Sequence, residues 1–177
     1  DGQEAAKVLL LANKINPDSY EVNYYIGKAL FIEKKYDKAV SFFKKARAIN
    51  PSAVEVYEKT GLAMYYAKMY KESIPYLKRA LDVSPESKEL LFCIATSLTK
   101  AGSGDKALKV FMHLRPDPEF GADACVAAGE LHKSRGDFDK AISDYQIGIK
   151  HEGAPASTKI VIYYNMAQCY LKKSDLK

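Results

Sequence analysis

The chain has 177 residues, 47% of them hydrophobic, and its 27 Lys and Arg against 22 Asp and Glu leave a formal net charge of +5. That apolar content is ample for a folded core, yet no run approaches the ~18 consecutive apolar residues that mark a membrane span. The basic excess is mild, so nucleic acid is disfavoured as a partner and the helical charge runs read as solvated faces.

Apolar residues recur at three- and four-residue intervals throughout, the spacing of amphipathic helices. The opening stretch, 1–17, carries Ala5, Leu9, Ala12 and Pro17 and predicts a lone helix. A helix pair follows over 20–53: helix A from about Ser19 to Ile32, then helix B from about Asp37 to Ala48, closed by Pro51. A second pair, 54–87, places Gly61 on helix A and Ser73 and Leu77 on helix B, and closes at Pro85. Pro75 reads as tolerable about one turn into that helix B, where backbone N–H groups lack intrahelical partners. The third pair, 88–121, meets Pro116 early, with Pro118 behind it, which predicts a loosened joint from Arg115 to Gly121. A fourth pair, 122–155, precedes extra chain around Gly153 and Pro155, and a lone helix A closes the chain over 160–177.

These elements share one step. Gly27, Gly61 and Gly129 lie on a 34-residue grid whose remaining point is Ala95. The same step carries Ala39 to Ser73, Ala107 and Ala141, and Phe43 to Leu77, Phe111 and Tyr145. A glycine in this column lets helix A approach helix B closely, and a repeat of this length means a solenoid. Asp18 with Glu21, and Ser52 with Glu55, have the spacing of a capping box at the start of helix A.

The pattern resembles the tetratricopeptide repeat, W-x2-L-G-x2-Y, then A-x3-F, then a closing P. The matching residues are Asn23, Ile26, Gly27, Leu30, Ala39, Phe43 and Pro51 in the first pair, and Tyr57, Thr60, Gly61, Met64, Ser73, Leu77 and Pro85 in the second. The resemblance implies an all-α fold, a right-handed α-α superhelix (TPR solenoid) of antiparallel helix pairs, with helix A lining a concave groove. It also implies a non-enzymatic scaffold or adaptor that binds a peptide or amphipathic helix of a partner protein. Two alternatives stand beside this: a self-associating homo-oligomeric scaffold, or the substrate-recruiting arm of an enzyme whose catalytic domain lies elsewhere. A chain that begins on Asp1 and starts and stops inside an array reads as a fragment of a longer protein.

On that groove the resemblance places Tyr24, Lys28, Phe31, Glu58, Tyr65 and Phe92, beside a column of Glu21, Glu55 and Glu89 that continues to Asp123. The aromatic residues have two readings, packing on the neighbouring helix or anchoring a ligand. The carboxylates suit the first turn of a helix through its dipole, and facing a groove they would favour Lys or Arg in a ligand. Some relatives clamp a chaperone's carboxylate tail with Lys and Asn. The equivalent positions here, Tyr24, Lys28, Lys59, Glu89 and Cys93, leave that clamp incomplete and disfavour such a ligand.

No motif for catalysis, cofactor or metal emerges. The stretch Gly102-Ser103-Gly104-Asp105 lacks the spacing of a phosphate loop and falls in an inter-helix turn. His113, His132 and His151 have no companions at ligand spacing. Cys93, Cys125 and Cys169 form no C-x-x-C pair and read as small buried hydrophobes of a reducing, cytoplasmic compartment.

Overall fold

The structure, a computed structural model, describes residues 2–175. Asp1 and Lys177, the outer bounds of the expected array, and the side chain of Ala5 in its first packing column lie outside the described residues. The described residues hold ten helices and no strand: α1 (Gly2–Ile15), α2 (Tyr20–Ile32), α3 (Tyr36–Ile49), α4 (Val54–Tyr66), α5 (Tyr70–Leu81), α6 (Lys88–Lys100), α7 (Gly104–Leu114), α8 (Gly121–Ser134), α9 (Phe138–Gly148) and α10 (Ala156–Ser174). They fall into two compact units, Asp1–Glu86 and Ser87–Lys177.

In the first unit the link between α2 and α3, residues 33–35, is too short for anything but a reversal, so the two helices pack side by side, as do α4 and α5. The glycine column decides how closely. A Cβ added to Gly27 would sit 2.6 Å from two ring carbons of Phe43, and one on Gly61 would sit 2.8 Å from Cδ2 of Leu77. In the second unit the same position, Gly129, faces Cε1 of Tyr145 at 2.4 Å. Phe43, Leu77 and Tyr145 are fully buried, so each large side chain of helix B fills the space its helix-A glycine leaves.

Every A-to-B reversal is a Schellman turn. The amide of Lys34 donates to the Phe31 carbonyl and that of Lys35 to Leu30, both at 2.9 Å, and the pattern recurs at Lys68 and Met69, Gly102 and Ser103, and Gly136 and Asp137. The pivot residue takes a left-handed backbone in all four copies, with φ of 58° at Lys34, 62° at Lys68, 79° at Gly102 and 81° at Gly136. Glycine adopts this conformation freely, whereas an L-residue such as lysine gives up about 1 kcal/mol.

The helix starts differ from the capping boxes expected at Asp18 and Ser52. Ser19 caps α2, its Oγ accepting from the Val22 amide at 3.2 Å, and α4 starts from Ala53, which has no side chain to cap with. Asn16 and Asn50 explain the shift, since Oδ1 of each accepts the amide two residues on at 3.2 Å, at Asp18 and Ser52. The Asx turn absorbs the residue that would otherwise have capped the helix. Pro75 is also placed differently from its expectation. It is the sixth residue of α5, past the helix's free N–H groups, so the Lys71 carbonyl loses its donor. Both residues are exposed, and water can serve that carbonyl.

In the second unit the joint between α7 and α8 is irregular but tied, not loosened. The Asp117 amide donates to Leu114, and Asp117 Oδ1 accepts from Glu119 and Phe120 at 3.0 and 2.9 Å. Arg115 then reaches across to the buried carboxylate of Asp144 on α9, which also meets Nδ1 of His132 on α8 at 2.7 Å. One carboxylate thus fastens the end of α7 to the α8–α9 pair.

Candidate protein-interaction surface

In the first unit α2 and α4 lie against each other, and their outward positions carry most of the candidate residues. The half-buried Tyr24 ring leans on Phe43 with centroids 5.9 Å apart and stacks on Tyr20 at 5.8 Å, so it is neither wholly core nor wholly surface. Lys28 sets its ammonium over Tyr24 at 5.7 Å and over Tyr25 at 5.3 Å. Tyr25, absent from the sequence-based set, is 51% exposed. Its proximity to Tyr24 in sequence was visible, but helix phase alone does not say which of two adjacent rings turns outward.

Glu21, Glu55, Glu89 and Asp123 all occupy the first turn of a helix A, and all four are exposed. Glu55 accepts a hydrogen bond from the Tyr20 hydroxyl at 2.7 Å, which joins α2 to α4. That bond, and then one to its own backbone, hold the Glu55 carboxyl below the usual carboxylate range. Burial, followed by the bond to Glu55, raises the Tyr20 phenol. The Tyr24 phenol is raised chiefly by burial, with Lys59 opposing. Glu58 pairs with Lys59 at 2.8 Å.

At the other end of α2 and α4, Phe31 meets Tyr36 and Tyr66 edge-on at 5.3 and 5.7 Å, and Tyr65 meets Tyr66 at 5.2 Å. In the second unit Phe92 is half-buried between Phe111, at 5.8 Å, and Phe120, at 5.7 Å. On α8, Lys133 donates to the Asn165 and Gln168 side chains of α10 at 2.6 and 2.9 Å.

All three cysteines are free and buried. Burial pushes the Cys93 thiol up to about 12 and the Cys125 thiol to about 11, and raises Cys169 as well. No group of three His, Cys, Asp or Glu side chains able to hold a metal comes together among the described residues. Nor is any helix among them long and apolar enough to cross a membrane. Gly102 serves as the left-handed pivot of a turn.

Residues 20–53, covering α2 and α3, and residues 122–149, covering α8 and α9, match the family described as Tetratricopeptide repeat. The chain carries tetratricopeptide repeats. Solved TPR-like structures superpose on most of it. MamA 41-end from Desulfovibrio magneticus RS-1 is 19% identical with a TM-score of 0.74 and 85% of each chain covered. Another MamA crystal structure is 20% identical, with a TM-score of 0.73 and coverage of 86% of this chain and 89% of that one. YrrB, described as a TPR protein with an unusual peptide-binding site, is 22% identical with a TM-score of 0.67, covering 96% of this chain and 86% of its own. No curated protein matches the chain by sequence. At these identities the likeness establishes the TPR fold, an all-helical arrangement of helix pairs.

Proposed function

We propose that this chain is a non-enzymatic interaction module whose A helices capture a peptide or amphipathic helix of a partner protein, as part of a scaffold or adaptor. The observation that carries the reading is the character of the helix-A face in the first unit. The half-buried ring of Tyr24 and the exposed ring of Tyr25 both meet the Lys28 ammonium on a helix that also carries the exposed Glu21, with the exposed Glu55 on α4, while the helix-B ring of Phe43 is fully buried. Part-exposed aromatic rings next to carboxylates suit apolar anchors with a neighbouring Lys or Arg. The peptide-binding site named for YrrB supports the same class of activity. On this reading the working units are the pairs 20–53, 54–87, 88–121 and 122–155, with 1–17 and 160–177 as single helices.

Panning a random peptide library on the immobilised chain tests the proposal. Enriched peptides should combine aromatic or aliphatic anchors with basic residues. Truncating a true anchor, Tyr24, Tyr65 or Phe92, to Ala should cost more than ~1 kcal/mol of binding. Peptides that bind all three variants as well as the parent chain would place recognition elsewhere.

A second reading, self-association, has its own observation. Helix α1 exposes Val8, Leu11 and Ile15 at 61%, 60% and 87%, and α10 exposes Ile160, Tyr163 and Leu171 at 68%, 62% and 66%. Exposed apolar residues grouped on one helix in this way invite contact. Light scattering across a concentration series separates the two, with a constant mass favouring the monomeric module.

A further inference from the structure

The repeat logic is broken at one chemically specific place. The left-handed pivot of the A-to-B turn is glycine in the third and fourth copies, at Gly102 and Gly136, but lysine in the first two, at Lys34 and Lys68. A strained backbone carrying a cation where glycine would sit without strain points to use of the cation. Both lysines line one surface hollow of about 470 Å³ in the first unit, together with Lys35, Lys38, Tyr36 and Tyr66.

Charge in this hollow is poorly compensated. Lys35 pairs with Glu33 at 2.6 Å, and Asp37 is the carboxylate in the lining. Among the described residues no ion pair is seen for the amines of Lys34, Lys38 or Lys68. The hollow also contains the first turn of α3, whose start at Lys35 has no side-chain cap, so its free N–H groups add to the positive field. Tyr36 and Tyr66 stack on each other at 5.2 Å with planes 23° apart, and Phe31 and Tyr65 take up edges of Tyr66. The two stacked rings therefore each turn one face to the other, while Tyr66 stays 42% exposed.

We propose that this hollow is a second binding site, one that takes an acidic segment of a protein partner through adjacent carboxylates. Its lining shares no residue with the helix-A set that includes Tyr24, Lys28 and Glu55. Single-stranded nucleic acid is less well suited, because it needs open ring faces for base stacking and a track of phosphate contacts. Here Tyr36 and Tyr66 use one face each on their own stack, and the amines cluster in one hollow instead of following a track.

The test exploits the turn itself. Fluorescence anisotropy of a fluorescein-labelled hexaglutamate peptide, titrated with the full chain at low salt, should show saturable binding that weakens as salt rises. The double variant K34G/K68G inserts the residue that the other two turns already use, so its melting temperature should hold or rise while its affinity falls about tenfold. K34N/K68N should behave alike, since asparagine also accepts the left-handed region. The control K106A/K109A removes two exposed lysines from the second unit and should bind as the parent does. The proposal is overturned if the parent chain fails to bind hexaglutamate, if the glycine and asparagine variants bind it equally well, or if the control loses as much affinity. Tighter binding of an oligothymidine of equal charge, with the same dependence on Lys34 and Lys68, would overturn it in favour of nucleic acid.

Discussion

At the residue scale, burial governs the reactivity of the cysteines. With the Cys93 and Cys125 thiols held near 12 and 11, almost no thiolate exists at neutral pH, and all three side chains are shielded. Ellman's reagent should find essentially no reactive thiol in the native chain and three after denaturation. A fast-reacting native thiol would contradict the packing. Glu55 gives a pH prediction of definite sign. Its folded pKa lies below the unfolded value, so its contribution is fully present above the ordinary carboxylate range and is lost as pH falls through the lower folded pKa. Replacing Tyr20 with Phe removes the main cause of that shift, and melting temperatures recorded from neutral pH down to about pH 3 should then fall less steeply than in the parent. Identical acid limbs would show that the hydroxyl contact does not matter. Residue chemistry of this kind was only partly legible beforehand. Glu21, Glu55 and Glu89 announced themselves by spacing, but the bond from Tyr20 to Glu55 links two helices that only folding brings together.

At the scale of helices, the glycine column makes the sharpest forecast. Gly129→Ala would gain roughly 1 kcal/mol in helix propensity. It would also drive a methyl group to 2.4 Å from a Tyr145 ring that is wholly enclosed, an overpacking cost of roughly 1–3 kcal/mol. Packing should win or at least cancel the gain, so urea denaturation should show no stabilisation, and a variant clearly more stable than the parent would refute the close approach. The latch at Asp144 gives a second case. Replacing it with Ala strands the Arg115 guanidinium and removes the partner of His132, at a cost of about 3 kcal/mol if the pair behaves as buried. The Gly column could be read in advance because each member repeats after 34 residues. Asp144 could not, since a lone acid on a helix B reads as surface and its partners lie 29 and 12 residues away in sequence. The pivot lysines carry a signal in the sequence, since counting from Gly136 toward the N-terminus by one repeat at a time lands on Gly102, Lys68 and Lys34. The Asx turns at Asn16 and Asn50 likewise recur one repeat apart, and they move each helix start by one residue.

At the scale of the whole molecule, stability in a repeat array comes from contacts between neighbours, so damage should stay local. Amide exchange in Gly129→Ala should rise in α8 and α9 while α2 and α3 keep their protection; uniform acceleration would mean a single cooperative core instead. The architecture of helix pairs was legible because one period governs glycines, alanines and large apolar residues together, whereas which rings stay open depends on packing that period does not encode. Phe92, enclosed by Phe111 and Phe120, and Tyr25, half-open beside Lys28, show the two outcomes. The claim that the A helices are the binding elements meets its most direct test in amide exchange of the chain with and without a library-selected peptide. Slower exchange concentrated in α2 and α4, with α3 and α5 unchanged, is the predicted result. Protection confined to α3 and α5 would contradict it.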